Sequence, residues 1–426
     1  MESDRFFEGF FKFTSGVTRL FPKAGAKAMD GFFYPLLGNQ FLVNFFREWN
    51  YRKIKRLLDF KNILVISDIH IGDAVLAQTA VSAIRDFFPE AQIDYMVKKS
   101  VACLLEGHQD VSKLLPAFTG GQFPNERDIL SVMEVSTKYD AIFNLCPFIK
   151  TDQFPEPEKV FNIMTQTSAF ARNEWKGNTL NHISYQAHRF IYDILHPFFP
   201  VRRSRVFEGP CLILSPEATE EARRFEERFR QGSEPVVFLN PETASPFTQI
   251  PFQYQAEILN RLVKLPCRVW LGEARADKEL AERLLFTIPL WKRDRVVLVP
   301  SSLSLDAYAA LIDRSDVFIS GDTGPLHLAA AWKKDRMGKR AFRNRTSVLG
   351  VFGATPPRLS GYDSFRWDFL EAEQKAWARV HQSESSCRNI TCMHKMAKVC
   401  DAGGCFQSLN VEAILSDVRN RLASAF

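Results

Sequence analysis

FISGDTGPLHLAAAW, residues 318–332, is the stretch that decides the fold. Its apolar start is typical of a buried strand, and a helical pattern begins near Pro325. Between strand and helix, Asp322 and Thr323 can cap the helix, while Gly324 lets the backbone approach a ligand closely. The unpaired N–H groups and the positive end of a helix placed in this way favour an anion. The stretch therefore predicts a strand-to-helix turn that binds a diphosphate.

His327 falls on the first turn of this predicted helix, within reach of a phosphate or a sugar. In the alternative interpretation the Asp-Thr-Gly turn is only a helix cap, and His327 is a buried core residue. A second apolar strand, residues 348–353, also ends in a glycine and a polar turn, in the run VFGATPPR. Two such loops in one half of a sheet indicate a nucleotide-sugar pocket and weaken that alternative.

Short apolar strands alternate with helical segments on both sides of this stretch. The first half contains NILVISD (62–68), a helical pattern over 74–88, AQIDYMV (91–97) and YDAIFNL (139–145). The second half contains the strand candidates PVVFLNP, CRVWLG, RVVLVP, DVFISGD and VLGVFG. Such β-α-β alternation has right-handed crossovers and gives a parallel sheet with helices on its faces. The sequence thus predicts an α/β protein with two parallel sheets.

The 426 residues are enough for two buried cores, and a stretch rich in arginine and proline near 200–210 is typical of an interdomain connection. We therefore expect an N-terminal helical extension over 1–60 and a first domain over 61–199. A second domain over 200–385 and a closing segment over 386–426 follow. Ligand chemistry is expected at the carboxyl ends of the strands, facing the other domain.

The N-terminal extension interleaves twelve phenylalanines with many basic residues. This mixture is typical of helices that lie in a lipid headgroup layer, and the alternative is that the helices pack on the first domain. Its longest apolar stretch, residues 32–46, contains proline and polar residues, so no membrane-spanning helix is expected. Acidic residues near the start argue against a signal peptide. We expect a cytoplasmic protein peripheral to the inner membrane.

The formal net charge is +6, a small excess for a chain of this length. It is too small to indicate nucleic acid as a partner. It is compatible with an anionic lipid surface or with a phosphorylated substrate.

Two motifs together resemble glycosyltransferase family 9, whose best-known members are the lipopolysaccharide heptosyltransferases. Residues 304–332, followed by VFGATPP, look like the family's donor-binding core, and residues 66–97 are similar to its first strand, loop and helix. The resemblance covers most of residues 61–420. It implies a GT-B type fold, with two facing Rossmann-like domains. It also implies inverting sugar transfer, by default of heptose from ADP-heptose to a lipopolysaccharide core acceptor.

The resemblance implies roles for particular residues. The donor would be held by Asp322, Thr323, Gly324, Pro325, Leu326 and His327. Asp73, after Gly72, occupies the position of the family's catalytic base, where inverting transfer needs a carboxylate to take the acceptor's proton. A helix N-cap is the compatible structural interpretation of Asp73. Asp68 and His70 would line the acceptor side. The helix terminus at Gly324 would neutralise the leaving diphosphate, so no catalytic cofactor is expected.

Other positions fit the family less well. Thr248 stands where the family usually has a lysine, which leaves open a family 9 transferase that uses a different nucleotide sugar. Glu273, after CRVWLG, is a candidate ribose contact, with an exposed loop carboxylate as the alternative. The basic segment 333–345 is expected to be a solvated loop.

A rival class rests on SDIHIGD, which also looks like the D-x-H opening of a metallophosphoesterase, with Asp68 and His70 as metal ligands. Such enzymes need further ligands in G-N-H-[DE] and G-H-x-H elements, and the sequence contains neither. The hydrolase is therefore a remote alternative. A catalytically silent binding protein is another, although Asp73 and the D-T-G-x-x-H element argue against it.

Four cysteines cluster near the carboxyl end with the spacing C-x4-C-x7-C-x4-C: Cys387, Cys392, Cys400 and Cys405. Four thiolates in a short segment suit a structural zinc or iron. The alternative is a cysteine-bearing loop that holds no metal.

Overall fold

Two compact units make up the chain, one ending at Pro210 and the other beginning at Cys211. The computed structural model describes residues 60–67, 70–118, 124–146, 149–162, 182–196, 199–203, 209–243, 248–274, 277–335, 346–353, 355, 357–362, 378–383 and 404–424. The predicted N-terminal helices lie outside these residues. Within the described residues, no helix has the length and apolar character needed to cross a bilayer.

The first unit contains one parallel sheet of five strands. They are β1 (Asn62–Ile66), β2 (Gln92–Val97), β3 (Lys113–Pro116), β4 (Ala141–Asn144) and β5 (Val160–Asn162). Their order across the sheet is β3-β2-β1-β4-β5, with every pair parallel. The described helices are α1 (Ile71–Phe87), α2 (Glu126–Ser136) and α3 (Ile183–Leu195). The central strand β1 is buried on both faces, which explains its uninterrupted apolar sequence.

The second unit contains a parallel sheet of six strands and a separate two-stranded sheet. The strands are β6 (Cys211–Leu214), β7 (Val236–Asn240), β8 (Arg268–Gly272), β9 (Val296–Val299), β10 (Val317–Gly321), β11 (Trp332–Asp335), β12 (Ser347–Phe352) and β13 (Ala378–Gln382). The large sheet has the order β13-β12-β10-β7-β8-β9, and β6 pairs with β11. The described helices are α4 (Pro216–Phe229), α5 (Phe252–Leu262), α6 (Leu280–Phe286), α7 (Leu305–Ile312), α8 (Gly324–Ala330), α9 (Pro357–Ser360) and α10 (Val411–Ser424).

Both large sheets have a point at which the strand order reverses. From β1 the chain moves outward through β2 and β3, then returns to place β4 on the other side of β1. The second sheet repeats this with β7 and β10. At such a point the loops after two neighbouring strands diverge to opposite faces and leave a crevice at the carboxyl ends. The predicted α/β class with parallel sheets is therefore confirmed.

One sequence prediction is wrong in this unit, because the basic segment 333–345 is not simply a solvated loop. Lys333 lies in β11 with its side chain fully buried, and its Nζ is 2.6 Å from Oδ1 of Asp313. The same Nζ donates to the carbonyl oxygen of Ala329 at 3.1 Å. Burial lowers the pKa of Lys333 and raises the pKa of Asp313, and each partner opposes the shift in the other. Residues 336–345 lie outside the described residues.

Lys333→Met should destabilise the second unit, because it leaves Asp313 buried without its cationic partner. We expect a loss of about 3–5 kcal/mol in urea unfolding, with most of it recovered when Asp313→Leu is added to remove both charges. The matched control is Lys334→Met, in the same strand at a partly exposed position. Equal stability of the Lys333→Met and Lys334→Met proteins would contradict this account of the pair.

Candidate functional site

The strand-to-helix turn after β10 has the predicted form. Thr323 is the N-cap of α8, with an extended backbone (φ −156°, ψ 167°), and its side chain makes no capping hydrogen bond. Gly324 is the first helical residue and Pro325 the second, where a missing N–H costs the helix nothing. Within this first turn, the Leu326 N–H donates to the carbonyl oxygen of Thr323 at 3.0 Å and Pro325 has no N–H. The backbone donor that the turn can present at the carboxyl edge of the sheet is therefore the N–H of Gly324.

His327 is buried on α8, only 5% exposed, and belongs to a small polar network. Its Nδ1 lies 2.8 Å from the hydroxyl of Tyr362, and its Nε2 lies 3.9 Å from Oδ1 of Asp322. Ser360 donates a hydrogen bond to the same Asp322 oxygen at 3.0 Å. Burial lowers the pKa of His327, with the charge of Asp322 opposing that shift in part, so the ring is neutral at pH 7. The segments after β10 and β12 are thus in contact, as the two polar loops predicted.

Leu326 was predicted as a donor residue along with its neighbours. Its side chain is fully buried and points toward β12, where a Cβ added to Gly350 would lie 3.4 Å from Leu326 Cδ2. Its backbone N–H donates to the carbonyl oxygen of Thr323 at 3.0 Å, so Leu326 packs in the core and joins the turn to the helix. The roles of Asp322, Thr323 and the rest of the segment in donor binding stay predictions.

Asn240 joins the carboxyl ends of β7 and β10, and sequence reasoning missed it. Its Nδ2 donates to Ser320 Oγ at 3.0 Å and to the carbonyl oxygen of Glu242 at 2.9 Å. Its Oδ1 accepts a hydrogen bond from the Tyr308 hydroxyl at 3.0 Å. The available signal was that both apolar strands end in a polar residue, Asn240 in PVVFLNP and Ser320 in DVFISGD.

Gly321 brings the loop after β7 against the end of β10. A Cβ at this position would lie 2.9 Å from Thr243 Cγ2, closer than real Cβ atoms approach, and 3.0 Å from the carbonyl oxygen of Thr248, tighter than most real Cβ contacts. Gln249 holds the loop by accepting from the backbone N–H of Thr243 at 2.9 Å. Thr248, the position where a cation was expected, therefore lies directly beside the Asp-Thr-Gly segment.

Glu273 follows β8 at the same edge of the sheet, but it is engaged by the loop after β9. Its Oε2 accepts hydrogen bonds from the backbone N–H of Ser301 at 3.0 Å and from the Ser301 hydroxyl at 3.4 Å. This contact ties the two loops together. A ribose contact by Glu273 stays a prediction.

In the first unit, Asp73 is part of α1 and is not its N-cap. The helix begins at Ile71, three residues earlier than predicted, and His70 is the N-cap. The His70 Nδ1 lies 3.7 Å from Oδ2 of Asp73, and the side chain of Asp73 is 47% exposed. Gly72 is buried beside it. Asp73 therefore presents a partly exposed carboxylate in the first turn of α1.

Asp68 lies outside the described residues, as do Cys387, Cys392 and Cys400. Cys405 is buried in the short helical turn Gly404–Phe406, where a Cβ at Gly353 would meet its sulfur at 2.9 Å. No group of three metal-ligating side chains occurs among the described residues. The structural metal at the cysteine cluster therefore stays a prediction.

Two units with reversing parallel sheets, and a strand-to-helix turn at the reversal point of the second, are the parts of a GT-B type fold. Residues 211–398 match the family described as glycosyltransferase family 9 (heptosyltransferase). This match confirms the predicted resemblance, and the chain is a glycosyltransferase.

Known proteins that are similar over most of this chain agree with this assignment. The lipooligosaccharide heptosyltransferase 2 of Haemophilus influenzae is 21% identical over 319 residues, covering 70% of this chain and 85% of the relative. The structure of the E. coli ADP-heptose LPS heptosyltransferase II has a TM-score of 0.57 at 16% identity and covers 85% of this chain and 99% of that one. A family 9 glycosyltransferase structure from Veillonella parvula has a TM-score of 0.61 at 14% identity, covering 86% and 98%. These structural matches confirm the GT-B type fold.

Gly321→Ala should force the loop after β7 away from the end of β10. We expect a loss of stability of about 1–3 kcal/mol, typical of an extra methyl group in a packed site, together with weaker nucleotide binding. Adding Thr243→Ser removes the nearer of the two clashing atoms and should restore part of both losses. Urea unfolding and nucleotide titration of the two variants measure this, and unchanged behaviour of Gly321→Ala would contradict the close approach.

Proposed function

We propose that this chain is an inverting heptosyltransferase that moves heptose from ADP-heptose to a lipopolysaccharide core acceptor. The observation that carries the proposal is the position of the D-T-G-x-x-H segment. It lies at the reversal point of the second sheet, within a domain that matches the heptosyltransferase family. The H. influenzae relative is a lipooligosaccharide heptosyltransferase and the E. coli relative is an ADP-heptose LPS heptosyltransferase, which supports the choice of sugar and nucleotide.

Donor binding in this proposal relies on backbone N–H groups and neutral side chains. The N–H of Gly324 faces the diphosphate, and glycine lets the diphosphate oxygens approach the backbone closely. Thr323, whose hydroxyl is not used as a cap, donates to the same anion. His327 is neutral and therefore contributes a hydrogen bond rather than a charge.

The chemical step needs a base for the acceptor. The acceptor hydroxyl oxygen attacks the anomeric carbon of heptose while the bond from that carbon to the diphosphate oxygen breaks, which inverts the configuration. The hydroxyl proton passes to the Asp73 carboxylate, and ADP leaves as the anion. Hydrogen-bond donors that point at the diphosphate stabilise the negative charge that develops on it during transfer. We therefore propose that no catalytic cofactor is required.

A second candidate is a family 9 transferase that uses another nucleotide sugar. Thr248 favours it, because this residue lies beside Gly321 where the family usually has a lysine. A hydroxyl in place of an ammonium lowers the positive charge available to the donor. Donor identity, rather than reaction class, depends on this position.

We further propose that the protein works at the cytoplasmic surface of the inner membrane. The Phe-rich, basic N-terminal sequence supports contact with anionic lipid and with an amphiphilic acceptor. We expect no nucleic acid partner. A structural zinc or iron at Cys387, Cys392, Cys400 and Cys405 remains our proposal for that cluster, away from the chemistry.

Nucleotide selectivity tests the donor. We expect ADP and ADP-heptose to raise the unfolding temperature of the full chain more than UDP or GDP does, because a ligand that binds only the folded state stabilises it. Titration of each nucleotide then gives its Kd. A preference for UDP or GDP would contradict ADP-heptose as the sugar donor, while the assignment as a glycosyltransferase would stand.

Asp73→Asn tests the base. We expect kcat to fall by about 10²- to 10⁴-fold while the Kd for ADP-heptose stays within roughly twofold, because the change removes a proton acceptor and leaves the donor site intact. The control is Glu90→Gln, which neutralises an exposed carboxylate beyond the opposite end of α1. Full turnover by the Asp73→Asn enzyme would overturn the mechanism.

A further inference from the structure

Tyr362 lies at the centre of the polar network around His327, although no motif in the sequence points to it. It follows α9 by two residues and is buried, 6% exposed. Its hydroxyl is 2.8 Å from His327 Nδ1, and the two rings meet edge to face with centroids 5.9 Å apart. This distance is that of a good hydrogen bond between a phenol and an imidazole nitrogen.

The backbone that carries Tyr362 is held tightly. A Cβ added to the preceding residue, Gly361, would lie 2.6 Å from the carbonyl oxygen of Pro357 and 2.8 Å from Val380 Cγ2. The chain therefore passes between α9 and β13 with no room for a side chain. Such packing fixes where the Tyr362 ring enters the network.

The direction of the hydrogen bond follows from the groups around the ring. Burial raises the pKa of Tyr362 well above its usual value, so the phenol keeps its proton. The neutral ring of His327 carries one proton, on Nδ1 or on Nε2. Nε2 faces the Asp322 carboxylate. The negative charge of this carboxylate would repel a lone pair on Nε2, so it favours the tautomer with the proton on Nε2. Nδ1 then accepts the hydrogen bond that the Tyr362 hydroxyl donates.

We propose that Tyr362 is a positioning residue for donor binding, which holds His327 in the tautomer that carries its proton on Nε2. The 3.9 Å from Nε2 to Asp322 Oδ1 is longer than a hydrogen bond, so this N–H remains able to donate to an oxygen of the bound donor. Ser360 fixes Asp322 in parallel, through the hydrogen bond to Oδ1. The segment after β12 thus orients two side chains of the segment after β10. The inference rests on the proposed function, in which His327 contacts the donor.

The experiment is long-range ¹H–¹⁵N NMR of the full chain labelled with ¹⁵N-histidine, at neutral pH. The chain has eight histidines, so His327→Gln identifies the His327 resonances by their loss. In the wild-type protein we expect a protonated Nε2 and an unprotonated Nδ1 that accepts a hydrogen bond. Tyr362→Phe should move the Nδ1 resonance toward the value of a nitrogen without a hydrogen bond.

Tyr254→Phe is the matched control, because it removes a hydroxyl that donates to the carbonyl oxygen of Gln407 elsewhere in the same unit. It should leave the His327 resonances unchanged. A wild-type His327 with its proton on Nδ1 would overturn the proposal without any variant. So would a folded Tyr362→Phe protein whose Nδ1 resonance stays in place.

Donor titration separates this inference from the proposed function. Tyr362→Phe should raise the Kd for ADP-heptose roughly tenfold, the loss expected for one buried hydrogen bond, while Tyr254→Phe should leave it unchanged. Equal affinity of the wild-type and Tyr362→Phe proteins would refute the positioning role. If the wild-type protein binds none of ADP, UDP, GDP or ADP-heptose, the proposed function fails, and the NMR result still decides the tautomer.

Discussion

The parallel pairing of β10 between β7 and β12 is the constraint on which the rest of the second unit depends. Because the three strands run in one direction, the loops that follow them meet at one edge of the sheet. The register places Ser320 opposite Asn240, so the last polar side chains of the two strands can hydrogen-bond. The same pairing brings the Asp-Thr-Gly segment into contact with the loops after β7 and β12.

Most of the side chains that define the site are neutral and are held by one another. Asn240 and His327 are each buried and each accept or donate a hydrogen bond within the site. A buried polar group without a partner costs free energy, so these hydrogen bonds fix the side-chain positions. In the transfer that we propose, such fixed dipoles need no reorganisation when charge develops on the leaving group.

The buried pair of Lys333 and Asp313 supports the carboxyl end of α8, the helix that begins at Gly324. Lys333 donates to the carbonyl oxygen of Ala329, in the last turn of α8, and is neutralised by Asp313. A cation at the carboxyl end of a helix is favoured by the helix dipole, just as an anion is favoured at its amino end. The carboxyl end of this short helix is therefore stabilised by a buried cation.

The sequence by itself determined the α/β class, the main strands and the turn at Gly324. Strands buried on both faces need uninterrupted apolar runs, and glycine and proline mark the helix start locally. It did not determine β3 or β5, whose three or four residues are too short for a pattern. Nor did it show that Lys333 is buried or that His327 meets Tyr362. His327 and Tyr362 are 35 residues apart in the chain, and only the order of the strands brings them together.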